Sequence, residues 1–248
     1  MSGHSKWSTI KRKKGAADAK RGQLFTRLAR EITVAARTGL PDPDANVRLR
    51  LAVQRARTEN MPKDNIDRAI QRAVGSDSGE QFDELYYEGY GPGGVAIMIL
   101  AMTDNRNRTV GEVRAAFTRA NGSLGETGSV NWMFEQVGVI AITVGDRDAD
   151  ELTLAAIDAG ATDVSEEDDV IEVYTEPQDL HKVQERLAAA GYEFESAELI
   201  MKPTTMMSSE SDDAVKAIRL LEKLEDLDDV QTVYSNLDIT DDVLAQVG

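Results

Sequence analysis

The chain has 248 residues, 41% of them hydrophobic and 5% aromatic, with no cysteine and a formal net charge of −16. That length supports one large domain or two to three small ones. The missing cysteine excludes disulfides, thiolate metal sites and cysteine nucleophiles and fits a reducing cytosol, while the few aromatics argue against a broad base-stacking platform.

The charge is divided unevenly. Residues 1–78 hold 17 Lys or Arg against 8 Asp or Glu, a net of +9, and residues 79–248 hold 11 against 36, a net of −25. A basic head attracts polyanions and an acidic body is repelled by them. The head is therefore expected to make first contact with nucleic acid, with the acidic domains facing away or meeting protein.

Residues 1–16 carry Lys6, Lys11, Arg12, Lys13 and Lys14 without apolar periodicity and read as an arm suited to phosphate contacts. Such contacts give affinity and salt sensitivity rather than sequence specificity. The alternative is a solvated tail. Trp7 could stack on a base or enter a groove, or pack the arm onto the domain behind it. His4 has no acid or base partner nearby in sequence, and His181, far away, is assigned no role.

A first helix is predicted over residues 18–38, ended by Gly39 and Pro41. At 100° per residue Leu24, Phe25, Leu28, Ile32, Ala35 and Ala36 share an apolar face, and Lys20, Arg27, Arg30 and Arg37 cluster opposite; Arg21 continues the basic run. A second helix over 46–60 has two apolar sides and is expected between neighbours. A third begins near Pro62 and stops at Gly75. The three read as a small bundle.

After a polar linker at 75–81 the hydrophobic period changes. Strands are predicted at 85–90 and 95–102, joined by Gly91-Pro92-Gly93-Gly94, then a helix at 106–120 and a strand at 130–134. The glycine-rich turn joins strand to strand and lacks a Gly-Lys-Ser/Thr ending, so it is a hairpin turn and not a phosphate loop. Residues 121–131 read as a long exposed connection, with Trp132 and Phe134 after it in the core. Asp104-Asn105-Arg106-Asn107-Arg108-Thr109 lies where a buried strand hands over to a helix. Asn105, Arg106 and Arg108 there could hold phosphate or splayed bases; alternatively Asp104 or Asn105 caps the helix and the arginines are solvated.

Residues 137–203 then run strand (139–144), helix (149–159), strands (163–165 and 170–175), helix (180–190) and strand (196–202), the ferredoxin-like order. The last helix (212–224) and strand (230–235) cannot form a core alone. They are expected to complete the sheet begun at Leu85. The fold class is thus α+β: an N-terminal three-helix bundle followed by two α/β domains, one ferredoxin-like and inserted in the other. The expected boundaries are 1–78, 82–135 plus 206–248, and 136–205.

No catalytic constellation is present: no nucleophile elbow, no His-Glu-x-x-His and no dinucleotide fingerprint. The acidic turn at 166–169 fits no calcium loop. No cofactor, metal or small-molecule substrate is expected. No apolar run approaches the about 20 residues of a membrane helix, and no apolar segment follows the basic N-terminal residues as in a secretory signal, so a cytoplasmic location without membrane partners is expected.

Gly3-His4-Ser5-Lys6-Trp7 with Ile10-Lys11, Asp18-Ala19-Lys20-Arg21-Gly22, Asn60-Met61-Pro62-Lys63-Asp64-Asn65-Ile66, the run from Tyr87 to Gly94, and Asp104 to Thr109 closely resemble the YebC family, in order and from end to end. Ser8-Thr9 and the Asp-rich stretch at 208–213 depart from it locally. The resemblance implies a cytosolic bacterial protein with a helical bundle and two α/β domains. That family is described as probable DNA-binding transcriptional regulators; its mitochondrial relatives are described as translational activators, and bacterial members are linked to ribosomes stalled on proline-rich sequences.

Together these point to a non-enzymatic nucleic-acid-binding regulator of gene expression, with DNA and transcription favoured by the resemblance. The absence of a polar recognition helix and the net charge keep open a translation factor bound to ribosomal RNA. A protein-interaction scaffold is the third reading.

Overall fold

The computed structural model describes residues 18–75, 81–145, 147–167, 169–209 and 211–240, with 243 and 246. The chain opens with α1 (Asp18–Thr38), α2 (Val47–Thr58) and α3 (Lys63–Val74). Leu28, Ile32, Ala35 and Ala36 of α1 meet Leu49, Ala52, Val53 and Ala56 of α2 and Ile66 and Ala69 of α3 in one buried cluster. Asn46 fixes the first turn of the bundle. Its Oδ1 accepts from the Leu49 N–H at 3.1 Å, capping α2, while its Nδ2 donates to the carbonyls of Ala35 and Leu40 at 2.8 Å each. A Cβ on Gly39 would sit 2.6 Å from that Nδ2, so the connection needs glycine at this position. Thr33 Oγ1 ties α1 to α3 through the Ala69 carbonyl at 3.1 Å.

The first sheet contains β1 (Asp83–Tyr90), β2 (Ala96–Thr103), β3 (Ser123–Leu124) and β8 (Val230–Ser235) in the order β3-β1-β2-β8. β8 pairs antiparallel with β2, with Ile97 opposite Ser235, so the C-terminal strand returns to the sheet that opened far upstream. Helices α4 (Arg106–Arg119) and α7 (Ser211–Glu225) cover one face, where Val113, Phe117, Ile218, Leu221 and Leu224 pack on Ile97, Ile99 and Val233.

Between β3 and α7 the chain builds β4 (Phe134–Thr143), α5 (Ala149–Ala159), β5 (Asp163–Glu167), β6 (Val170–Thr175), α6 (Leu180–Ala189) and β7 (Ser196–Pro203). Their sheet order is β5-β6-β4-β7, the ferredoxin-like arrangement. Ile140, Ile142, Ile171 and Val173 face Leu152, Ala156, Val183 and Leu187 of its two helices.

The two sheets share a further apolar layer. Ala96 and Met98 of β2 and Tyr234 of β8 meet Phe134 and Val139 of β4, Tyr174 of β6 and Ile200 of β7. Strand β2 is therefore buried on both faces, which is why its sequence AIMILAM is apolar throughout rather than alternating. Helix α2 is wedged likewise: its inner side is in the bundle, and Leu51 packs on the core of the inserted domain.

Three local expectations are corrected. Residues 130–134 are not a separate strand: Asn131–Met133 form a 3₁₀ turn, and one ten-residue strand runs from Phe134 to Thr143. Gly138 sits in register within it, opposite Thr175 on one side and Leu199 on the other. The 121–131 connection contains β3, paired to Gly89 and Tyr90. Trp132 is 70% exposed rather than in the core, whereas Phe134 is buried.

Candidate nucleic-acid interface

Lys6, Trp7, Lys11, Arg12, Lys13 and Lys14 lie outside the described residues. Lys20 falls in the first turn of α1, and Arg21 follows it, exposed. Beyond that point the basic side of α1 turns inward onto the acidic body. Arg27 Nη2 donates to the carbonyls of Glu225 and Leu227. Burial lowers the pKa of its guanidinium, against the pull of Glu225, Asp226 and Asp228. Arg30 Nη1 reaches the Asp228 carbonyl at 2.5 Å and Asp229 Oδ1 at 3.2 Å, and its guanidinium stacks 5.3 Å from the Phe82 ring centroid.

Helix α2 repeats the arrangement. Arg48 Nη2 lies 2.6 Å from Glu84 on β1, and Arg50 Nη1 lies 2.7 Å from His181 Nε2 on α6. Arg55 Nη1 lies 3.3 Å from Glu198 on β7 and 3.7 Å from Glu31 on α1. Burial raises the pKa of the Glu31 carboxyl, with Arg55 opposing the shift. Five arginines of the head thus bind the body, and the acidic residues that meet them do not face away.

The Asn105–Arg108 corner is built on a buried carboxylate. Asp229 is 2% exposed; its Oδ2 accepts from Arg108 Nη2 at 2.7 Å, Thr109 Oγ1 at 2.8 Å and Thr103 Oγ1 at 3.0 Å. Burial opposes ionisation, but these donors outweigh it and hold the carboxyl below its ordinary range. Asn105 is the N-cap of α4, its Oδ1 accepting from the Arg108 N–H at 3.1 Å. Arg108 also pairs with Asp104 at 2.7 Å. Arg106 projects outward, 62% exposed, with Asp83 at 2.7 Å.

The sequence reading missed two features. Glu88 on β1 is 4% exposed and accepts the N–H groups of Gly128, Val130 and Asn131 at 2.7–2.8 Å, anchoring the loop that presents Trp132. Burial raises its pKa, yet the three backbone bonds prevail and hold the carboxyl low. The second is the set of exposed cations on α3, Lys63, Arg68 and Arg72; Arg68 and Arg72 are four apart and share a side of the helix. That i,i+4 spacing was visible in the sequence. Arg21, Arg57, Lys63 and Arg72 show no ion pair among the described residues.

The family models carry the assignment. Residues 5–76 match the TACO1/YebC protein N-terminal domain, and residues 82–237 match the TACO1/YebC second and third domain. The chain belongs to the TACO1/YebC family. A TACO1/YebC-family relative from Trichlorobacter lovleyi, named probable transcriptional regulatory protein, is 54% identical over 247 residues covering 100% of both chains. Relatives of the same name in Geobacter sulfurreducens (53% over 247 residues, 100% of both chains) and Chloroflexus aggregans (55%, 98% of both) are similar along their whole length. A solved structure of a conserved hypothetical protein from Aquifex aeolicus superposes with a TM-score of 0.85 at 47% identity, covering 90% of this chain and 93% of that one. The mixed helix-and-sheet architecture is therefore that of the TACO1/YebC family. Among the described residues no helix is long and apolar enough to cross a membrane, and no group of His, Asp and Glu could hold a metal ion.

Proposed function

We propose that the chain is a non-enzymatic regulator of gene expression that binds nucleic acid through its basic head. The distribution of cations without an ion pair among the described residues carries the reading. The arginines of α1 and α2 that face the body are held there by acids, backbone carbonyls or His181, which leaves Arg21, Arg57, Lys63 and Arg72 exposed, in the same N-terminal part of the sequence as Lys11, Arg12, Lys13 and Lys14. The name shared by the relatives supports DNA and transcription.

One observation favours ribosomal RNA instead. Helix α2 is packed on both sides and cannot enter a major groove, and the outer face of α3 mixes Lys63, Arg68 and Arg72 with Asp64 and Asp67. In-cell crosslinking followed by sequencing of bound DNA and bound RNA separates the two. Enrichment of discrete promoter sites supports transcription; enrichment of ribosomal RNA supports translation; recovery of neither overturns nucleic-acid binding.

A further inference from the structure

A cleft of about 430 Å³ opens between α1 and α3, within the range of small-molecule sites. Its floor is apolar: Phe25 and Ala29 of α1, Met61 from the turn before α3, and Phe82 from the segment entering β1. Arg68 and Arg72 stand on its α3 side. Among the described residues no carboxylate lines it. Arg68 is held by neutral groups, the Asp64 carbonyl at 3.1 Å and Asn65 Oδ1 at 2.9 Å, so its positive charge is not cancelled there. The neighbouring depression has the opposite character: Asp104, Glu112, Asp228 and Asp229 line it beside Arg30 and Arg108. Arg30 and Phe82 form the wall between the two.

An apolar lining with two aromatic rings, beside Thr26, Thr33 and Asn65, suits a heterocyclic base, and a pair of guanidiniums four residues apart suits a phosphate. A base reaches such a floor only when it is not paired and stacked in a duplex. We propose that the cleft takes one unpaired nucleotide of an RNA or DNA strand, its base against Phe25, Met61 and Phe82 and its phosphate between Arg68 and Arg72. The acidic depression beyond Arg30 repels the rest of the strand, which is thereby directed along α3. This assignment rests on the nucleic-acid reading above and adds the form of nucleic acid to it. Thr33 joins α1 to α3 through Ala69, so the two walls are already set before a ligand arrives.

The test uses the full chain with ¹³C-methyl-labelled methionine, the Met61 signal being assigned by Met61→Leu. A single strand of about ten nucleotides is added as RNA and as DNA, and then as the matching duplex. The single strand in at least one chemistry is expected to shift the Met61 methyl, and the duplex to leave it in place. Arg68→Ala with Arg72→Ala is expected to weaken single-strand binding about tenfold or more, while Arg114→Ala with Arg119→Ala, which removes the same charge from exposed positions on α4, changes it less than about twofold. Binding with a silent Met61 signal, or equal losses in the two double variants, overturns the cleft assignment and leaves the nucleic-acid reading intact. A free nucleoside monophosphate that binds as tightly as the strand also overturns it. Failure of every nucleic acid to bind defeats both.

Discussion

Arg30 of the bundle and Asp229 at the edge of the first sheet stand 3.2 Å apart, and the second oxygen of that carboxylate is taken by Arg108, Thr103 and Thr109. One buried carboxylate thus joins two domains and fixes the first turn of α4. Removing one partner of a buried charged network leaves the others desolvated and unmatched.

Asp229→Asn is accordingly expected to destabilise the protein by about 2–4 kcal/mol, the loss of charge-assisted hydrogen bonds outweighing the retained carbonyl. Urea unfolding measures it: the midpoint should fall at an unchanged slope. A midpoint equal to that of the parent chain refutes the hub role.

Acid should weaken the fold through the same group. The folded-state pKa of Asp229 is depressed, as is that of Glu88. Their stabilisation is complete above the unfolded carboxyl values of about 4 and is lost as pH falls through the lower folded values. Glu31 has the opposite sign, because its raised pKa favours the protonated form in the folded state. Asp83, hydrogen-bonded by Arg106, is depressed as well, so three groups against one predict a net loss of stability below about pH 4, measurable as a falling urea midpoint. Asp229→Asn should flatten that dependence.

Glu88→Gln replaces an acceptor of three N–H groups by an amide that presents its own N–H₂ to them. The expected cost is about 1–3 kcal/mol. Hydrogen exchange at Gly128, Val130 and Asn131 should accelerate while the amides of β2 stay protected. Uniform acceleration across both sheets would instead indicate global destabilisation.

If the arm neutralises about five to seven phosphates, log affinity for nucleic acid should fall with log salt at a slope of roughly −4 to −6. Replacing Lys11, Arg12, Lys13 and Lys14 by Ala should remove most binding and reduce that slope. Because these residues precede α1, the unfolding midpoint should not change.

Arg106→Ala isolates a surface contact, since among the described residues Arg106 pairs with half-exposed Asp83. Loss of ribosome co-sedimentation in this variant, with no change in thermal midpoint, would place the α4 corner at the RNA. Arg108→Ala cannot be read the same way: it removes a donor from buried Asp229 and should lower stability whether or not RNA is bound.

The ferredoxin-like unit was legible because its apolar residues switch period at each boundary and glycines close its helices, as Gly160 does at φ 107. The return of the last strand was legible by elimination, since α7 and β8 alone have nothing to bury against. Continuous β4 was not: the expected strands at 130–134 and 139–144 leave residues 135–138 between them, and only pairing with β6 and β7 shows that these residues belong to one strand. Trp132 was misplaced because an aromatic beside a core Phe134 carries no sign of which way it points.

Local chemistry along the chain was enough to specify the helices, most strands, a cap at Asp104 or Asn105 and the separation of a basic head from an acidic body, since propensity, capping and charge are properties of neighbouring residues. Which cations remain available to a polyanion was decided only in three dimensions. Arg27, Arg30, Arg48 and Arg55 look as basic in sequence as Arg68 and Arg72, yet the first four meet oxygens of the folded body while the last two stand over a cleft that no carboxylate lines among the described residues. Coulomb interactions depend on distance in space, and the fold brings residues about two hundred positions apart to within hydrogen-bond reach.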